Sequence, residues 1–94
     1  MNIFDRIKQH AIEQVYGMTL YERVSKCREE LNELQDVLDT QYDTIEEFIS
    51  KIAEEAADVI YTATLLMNCV KLNPEQACID KMDKDLERRN INGM

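Results

Sequence analysis

The sequence predicts an all-α protein, a four-helix bundle formed by a single domain over residues 1–94. Apolar residues recur at intervals of three and four in four successive segments, and no segment shows the alternation of a strand. The chain contains only two Gly and one Pro, with 45% hydrophobic and 32% charged residues, a composition typical of helical proteins. Because a chain of 94 residues encloses a modest core, we expect oligomerisation, as a homodimer or homotetramer, to complete the bundle.

The first two helices are each marked by a capping residue and an apolar face. Asn2 is a capping residue for a first helix that ends at Gly17. Its apolar face carries Phe4, Ile7, Ala11 and Val15. Thr19, followed three residues later by Glu22, forms a capping box that starts the second helix. The apolar stripe of that helix has spacings of 4, 3, 4, 3 and 4 and consists of Leu20, Val24, Cys27, Leu31, Leu34 and Leu38.

The third helix follows a short polar turn at Asp39–Asp43 and begins with a second capping box at Thr44 and Glu47. Its stripe consists of Ile45, Ile49, Ile52, Ala56, Val59, Ala63, Leu66 and Val70. Its second half is apolar on nearly every side, which predicts a central helix that contacts several neighbours. A fourth helix is predicted to begin at Asn73-Pro74, a cap followed by proline, and to run to about Arg89.

Charge and cysteine usage exclude several classes of protein. The net charge of −8, from 19 acidic and 11 basic residues, repels nucleic acids and anionic membranes. Three cysteines without a CxxC motif, together with a single histidine, argue against a disulfide framework and a zinc finger. The N-terminal segment carries charges where a signal peptide would be apolar, and the nearly uncharged run Val59–Val70 is shorter than the about 20 residues of a membrane helix. We therefore expect a soluble cytoplasmic domain that binds neither nucleic acid nor membrane.

Two pairs of acidic residues share the same helical phase. When the apolar stripes are taken as positions a and d of a heptad, Glu30 and Glu55 fall at g. Glu33 and Asp58 both fall at c. The short connection makes the second and third helices antiparallel neighbours, so that g positions face g positions. The four carboxylates are therefore predicted to converge on one patch.

Like charges at close range raise one another's pKa and disfavour the ionised folded state unless a cation lies between them. Ligands that are all carboxylate oxygens suit Mg²⁺, with Mn²⁺ as a substitute, and the near absence of histidine disfavours zinc and Glu-x-x-His di-iron sites. Mg²⁺ held in this way keeps coordination positions for water and phosphates. Because Glu-x-x-Glu is also common on solvated helix faces, a plain acidic surface stays open as the alternative.

The segment Lys-Cys-Arg-Glu-Glu-Leu-Asn-Glu at 26–33 and the segment Glu-Glu-Ala-Ala-Asp-Val-Ile-Tyr at 54–61 resemble the MazG-like family. The family signature is Glu-x-x-Glu, a spacer, and Glu-x-x-Asp; here 21 residues lie between Glu33 and Glu55. The resemblance covers residues 19–70 and implies an all-α nucleoside triphosphate pyrophosphohydrolase, which releases a nucleoside monophosphate and pyrophosphate in nucleotide-pool cleaning. It implies a dimer or tetramer. It also implies that Mg²⁺ is held by the catalytic residues Glu30, Glu33, Glu55 and Asp58.

Four further residues are candidates for substrate contact, each with an ordinary structural alternative. Family members often carry Lys, Asn and Arg late in the last helix, where this chain has Lys81, Asp85 and Arg88; a basic helix C-terminus is the alternative. Lys26 can reach a phosphate or pair with Glu30. Similarly, Lys51 is expected to pair with Glu55. Tyr61 can stack on a base or lie at the edge of the core. His10 is assigned no role, and Cys27 is expected in the core.

Two other classes of function stay open at this level. One is a non-catalytic helical interaction or regulatory protein, such as an antitoxin or adaptor, with a solvated acidic face. The other is a metal-binding protein that senses nucleotide without hydrolysing it. Neither the base nor the sugar of a substrate can be predicted from the sequence.

Overall fold

The computed structural model describes residues 2–11 and 18–92, of which 90–92 are described by their backbone alone. The described helices are α1 Ile3–Ala11, α2 Leu20–Asp39, α3 Ile45–Cys69 and α4 Pro74–Asn92. Within these ranges there is no strand, which confirms the all-α prediction. The predicted end of the first helix at Gly17, together with Val15, lies outside the described residues. Helix α4 continues three residues beyond the predicted end at Arg89.

The predicted caps are found, with one difference. At α2 the capping box is complete, because the Thr19 hydroxyl accepts from the Glu22 amide while the Glu22 carboxylate accepts from the Thr19 amide. At α3 the Thr44 hydroxyl accepts from the Glu47 amide at 3.1 Å. The Glu47 carboxylate, however, accepts from the amide of Asp43 at 3.3 Å. Only half of the second predicted capping box is therefore formed, because the carboxylate reaches one residue further back.

The turn between α3 and α4 is closed by a Schellman arrangement of backbone hydrogen bonds. The amide of Leu72 donates to the carbonyl of Met67 at 2.9 Å, and the amide of Lys71 donates to the carbonyl of Asn68 at 3.1 Å. Lys71 has a φ of 62°, the left-handed conformation that glycine usually supplies at this position. Asn73 then caps α4 by accepting from the Gln76 amide.

Helix α3 is the central element, as predicted. It packs along α2, and both α1 and α4 contact it. Ile7 and Ala11 of α1 form a small core with Leu65 of α3, against which Tyr61 is packed. Asn2 caps α1 by accepting from the Asp5 amide, and its side-chain amide also hydrogen-bonds to Glu75 of α4. None of the described helices is long and apolar enough to cross a membrane.

The face that α2 turns toward α3 differs from the predicted one. Val24, Leu31 and Leu38 of the predicted stripe are 43%, 54% and 70% exposed, whereas Glu30 and Val37 are only 7% and 4% exposed. The buried face therefore runs through the d and g positions, and the a positions form a second apolar stripe on the surface. The d residues Cys27 and Leu34 are half-buried and so belong to both stripes. This rotation moves Glu30 from the edge of the interface into it.

Candidate metal centre

Four carboxylates from α2 and α3 converge at one place, which we call the carboxylate cluster: Glu30, Glu33, Glu55 and Asp58. One oxygen from each lies within 4.8 Å of those of the other three. The two residues of each pair are three apart and therefore lie one above the other on the same helix face. The convergence predicted from matched heptad phase and the short connection is thus found in the structure.

The members of the cluster differ in their surroundings. Glu30 is buried and Glu55 is half-buried, whereas Glu33 and Asp58 are exposed. One oxygen of Glu30 and one of Glu55 are enclosed and have no hydrogen-bond partner. A buried carboxylate oxygen without a donor is costly, and a positive group in contact with these two atoms would offset that cost.

Lys26 fixes the other oxygen of Glu30. Its Nζ lies 3.1 Å from Glu30 Oε1, which is the predicted intrahelical pair, and 3.5 Å from Glu29 Oε2. The hydrogen bond to Glu30 is the main cause that raises the pKa of Lys26, with further increases from the charges of Glu29 and Glu30. Lys26 is therefore positively charged at neutral pH, and it leaves Glu30 Oε2 directed away from the pair.

The crowding of negative charge in the cluster raises the pKa of Glu33. A hydrogen bond with Glu30 raises it most, followed by the charge of Glu30, loss of water contact and the charges of Glu55 and Glu29. A carboxyl with a raised pKa holds its proton more readily in the folded state. A cation within the cluster would reverse this tendency because it favours the ionised form.

The donor set fits a hard divalent cation. All available ligand atoms are carboxylate oxygens, which Mg²⁺ and Mn²⁺ prefer. Oxygens on opposite sides of an octahedral Mg²⁺ are about 4.2 Å apart, close to the 4.8 Å span of the cluster. The two partnerless oxygens of Glu30 and Glu55 supply buried acceptors that a cation would satisfy.

The pairing of Lys51 was predicted incorrectly. Its Nζ lies 3.4 Å from Glu54 Oε2, at i+3, and no ion pair with Glu55 at i+4 is found. The physical reason is that Glu55 turns into the cluster between α2 and α3, whereas Glu54 and Lys51 share the exposed surface. Lys51 therefore does not offset the charge of Glu55 within the cluster.

Tyr61 is held by α1, a relation that the sequence did not indicate. Its hydroxyl lies 2.7 Å from Nδ1 of His10, and the two rings meet edge to face with centroids 5.7 Å apart. Burial raises the pKa of the Tyr61 phenol, which therefore stays protonated and can donate to His10. The ring packs against the small core, as the structural alternative for Tyr61 predicted, and His10 acquires a role in joining α1 to α3.

The candidates on α4 are not brought to the cluster by any described contact. Lys81 Nζ lies 2.6 Å from Asp85 Oδ1 on the same helix, and within the described ranges Arg88 forms no hydrogen bond or ion pair with the cluster. Helix α4 contacts α3 but has few contacts elsewhere. Within one chain, the structure therefore gives no support for a shared site between the cluster and the end of α4.

A small cavity beside the cluster is lined in part by a basic residue, Arg23, that the sequence patterns did not single out. It is lined by Met18, Arg23, Lys26, Thr62 and Leu65. Arg23 is half-buried and lies one turn before Lys26 on the same face of α2. The signal that would have identified it is the heptad phase, because Arg23 stands at g like Glu30.

Comparisons of the chain with protein-family models, with curated proteins and with solved structures give no match. The carboxylate cluster is therefore interpreted from its own geometry and chemistry.

Proposed function

We propose that this chain is a Mg²⁺-dependent nucleoside triphosphate pyrophosphohydrolase of the MazG-like kind, working in nucleotide-pool cleaning. The single observation that carries the proposal is the convergence of four carboxylates within 4.8 Å, two of them with enclosed, partnerless oxygens. The signature resemblance over residues 19–70 supplies the reaction class. Nucleoside triphosphate and water would give the nucleoside monophosphate and pyrophosphate.

The carboxylate cluster would hold the ion through Glu30, Glu33, Glu55 and Asp58. When bound, Mg²⁺ supplies positive charge to a phosphate chain and increases the acidity of water. The residues of the chain would bind the ion and orient the phosphate chain. Glu30 and Glu55 approach from the helix interface, whereas the exposed Glu33 and Asp58 form the open side through which a phosphate chain would enter.

Lys26 acts in this proposal as a positioning residue for Glu30. It pairs with Oε1 and so leaves Oε2 available to the ion. The chain has a net charge of −8, which repels an anionic substrate. The ammonium group of Lys26 partly offsets this repulsion near the cluster. Mn²⁺ would substitute for Mg²⁺, because both accept an all-oxygen ligand set.

A homodimer or homotetramer is part of the proposal. The described buried apolar side chains are few, namely Ile7, Ala11, Val37 and Leu65. Large apolar residues remain exposed along α2 and α3 and include Val24, Leu31, Leu38, Ile45 and Ile49. An exposed apolar surface that extends along two helices is typical of an interface between subunits. A second copy of the chain would cover it.

The same exposed surface favours a second candidate function, a helical interaction or regulatory protein. In that case the apolar stripe on α2 would bind a different protein, and the acidic cluster would be a solvated face. A nucleotide-sensing metal-binding protein is the third candidate. These alternatives differ from the first in turnover, since neither releases pyrophosphate.

The test is a panel of the canonical nucleoside triphosphates and deoxynucleoside triphosphates with Mg²⁺, followed by assay of monophosphate and pyrophosphate. The wild-type protein is expected to release both. Glu55→Gln is expected to lower turnover by roughly 100-fold or more, because it removes a metal ligand. The matched control is Glu54→Gln, which removes the same charge one residue away on the exposed face and should keep turnover.

Each outcome identifies one candidate. Turnover by the wild type and by Glu54→Gln, but not by Glu55→Gln, supports the hydrolase. Thermal stabilisation by nucleotide only in the presence of Mg²⁺, without cleavage, would favour the sensor. Absence of both turnover and any Mg²⁺-dependent stabilisation would reject the metal-dependent candidates and leave the interaction protein.

A further inference from the structure

Another cavity lies at the C-terminal end of α3, where the beginning of α1 meets the turn between α3 and α4. Its polar lining includes Asp5 and Lys8 from α1, Asn68 from α3, and Lys71 and Asn73 from the turn. Polar atoms make up most of its exposed surface. The volume is about 270 Å³, just below the range of about 300–1,000 Å³ that is typical of small-molecule pockets. The cavity therefore suits a small polar ligand.

Two lysine side chains from separate elements line this cavity. Lys8 comes from α1 and Lys71 from the turn, and both residues are exposed. Among the described residues, neither ammonium group has an ion pair or a hydrogen bond. Of the residues that line the cavity, Asp5 alone is acidic. The lining thus has one more positive than negative charge, although the chain as a whole carries −8.

The backbone holds Lys71 at this cavity in an unfavourable conformation. Its φ is 62°, in the left-handed region, and it is the one non-glycine residue of the described chain with a positive φ. A side chain with a Cβ makes this conformation costly, and such residues are found preferentially at functional and ligand-binding sites. The hydrogen bond from the Lys71 amide to the Asn68 carbonyl keeps the turn in place. A lysine therefore occupies a position where glycine would be more stable, with no described ion pair or hydrogen bond of its side chain to offset the cost.

Asn68 adds an unpaired donor to the same cavity. Its side-chain nitrogen Nδ2 is enclosed and has no hydrogen-bond acceptor. An enclosed donor without an acceptor is costly, and an oxygen in contact with this atom would offset that cost. Two other amides near the cavity already have partners, because Asn73 accepts from the Gln76 amide and Asn2 donates to Glu75. Glu75 itself does not line the cavity.

We propose that this cavity binds a phosphate group, either as free phosphate or as part of a small phosphorylated molecule. Ammonium groups bind phosphate oxygens through charge-assisted hydrogen bonds, and Lys8 and Lys71 supply two of them. The ligand would thereby join α1 to the turn after α3. Asn68 lies about 15 Å beyond Asp58 along the axis of α3. The phosphate site is therefore separate from the carboxylate cluster, and it needs no metal ion.

The test is a titration of isotope-labelled protein with inorganic phosphate, at constant ionic strength and with EDTA, followed by two-dimensional NMR. EDTA removes divalent ions, so the carboxylate cluster cannot hold phosphate through a metal. Saturable shifts are expected for the side-chain amide of Asn68 and for the backbone amides around Lys71. Lys71→Gly should raise the Kd roughly fivefold or more, because it removes a charge-assisted hydrogen bond. Since glycine favours this backbone conformation, the loss cannot be ascribed to unfolding, and Lys71→Arg should keep most of the affinity.

Two further variants test the charge of the lining. Lys8→Gln should weaken phosphate binding to a similar extent, whereas Asp5→Asn should strengthen it roughly twofold or more, because it removes a negative charge near the anion. The matched control is Lys84→Gln, which removes an equal charge from an exposed position of α4 outside the cavity and should bind phosphate like the wild type. Shifts that do not saturate would overturn the site, as would equal affinity of Lys71→Gly and Lys84→Gln.

Adenosine monophosphate, used as a second probe, separates the two sources of the phosphate group. Tighter binding than that of inorganic phosphate, with the same dependence on Lys8 and Lys71, would assign the site to a phosphorylated molecule. Equal or weaker binding would assign it to free phosphate. The outcome for the proposed hydrolase is separate, because pyrophosphate release requires Mg²⁺ and Glu55, whereas the phosphate titration is made without metal. Either proposal can therefore fail while the other stands.

Discussion

Replacing Glu55 by Gln is predicted to stabilise the metal-free protein, although Glu55 is a proposed metal ligand. Gln has nearly the same shape as Glu and lacks its negative charge. The substitution therefore removes one of four carboxylates whose oxygens lie within 4.8 Å of one another. When no cation is bound, the repulsion that this charge exerts on its neighbours opposes folding.

The magnitude follows from the distance between charges. At 4.8 Å, the upper limit of the distances among the four ligand oxygens, two like unit charges repel each other by about 0.9 kcal/mol in bulk water and by about 3.5 kcal/mol at an effective dielectric constant of about 20. Burial of Glu30 favours the larger value, but Lys26 lies 3.1 Å from Glu30 and offsets part of its charge. We expect a net gain of about 1 kcal/mol in the free energy of unfolding, which corresponds to a Tm higher by about 4–8 °C.

The assay is thermal unfolding followed by circular dichroism, first with EDTA and then with Mg²⁺. In EDTA the Tm of Glu55→Gln should exceed that of the wild type. With Mg²⁺ at about 100 times its Kd, the wild type should gain about 2.7 kcal/mol and the variant much less, so that their order reverses. The control Glu54→Gln loses the exposed pair with Lys51 and should show the wild-type response to Mg²⁺.

Two results would refute the electrostatic argument. One is a lower Tm for Glu55→Gln than for the wild type in EDTA, which would mean that the carboxylate forms a favourable contact in the metal-free protein. The other is an equal stabilisation of both proteins by Mg²⁺, which would mean that the ion binds elsewhere or not at all.

The remaining predictions concern single contacts. Thr44→Ala removes the cap of α3 and should lower the free energy of unfolding by about 1 kcal/mol, measured by urea denaturation. Tyr61→Phe removes the hydroxyl that lies 2.7 Å from His10; we expect a loss of about 1 kcal/mol and faster hydrogen exchange in α1. Lys71→Gly relieves the left-handed backbone at φ 62° and should raise the free energy of unfolding, measured by urea denaturation, by up to about 1 kcal/mol. The raised pKa of Glu33 means that its unfavourable charge is lost as pH falls through the folded-state pKa, so acidification should stabilise the metal-free protein; Glu33→Gln should reduce that change in melts with EDTA at neutral and mildly acidic pH.

Local features of the fold could be predicted from the sequence. Thr19 and Glu22 form their capping box because the interaction requires only four consecutive residues. The carboxylate cluster could also be predicted, since heptad phase and a short connection determine which side chains of neighbouring helices meet. The structure adds what those rules omit, namely that Glu30 is buried and that one oxygen each of Glu30 and Glu55 has no partner.

The orientation of α2 could not be predicted correctly. Its sequence contains two overlapping apolar stripes, one through Val24 and Leu31 and one through Leu34 and Val37. Both satisfy helical spacing, and only packing against α3 selects between them. The position of α4 is likewise decided by tertiary contacts, and for that reason Lys81 and Arg88 could be placed on a common face but not relative to the cluster.

The segment between α2 and α3 is short, so the geometry of the cluster depends on the number of residues between its two acidic pairs. Most of those residues have no chemical role. Each residue inserted into an α-helix turns the following side chains by about 100° and advances them by about 1.5 Å. One residue added within α3 before Glu55 would therefore direct Glu55 and Asp58 away from α2, although no residue of the cluster would be replaced. An insertion of four residues would nearly restore their direction, yet would shift them by about 6 Å along the helix. The length of chain between the two acidic motifs is thus as much a determinant of the site as the motifs themselves.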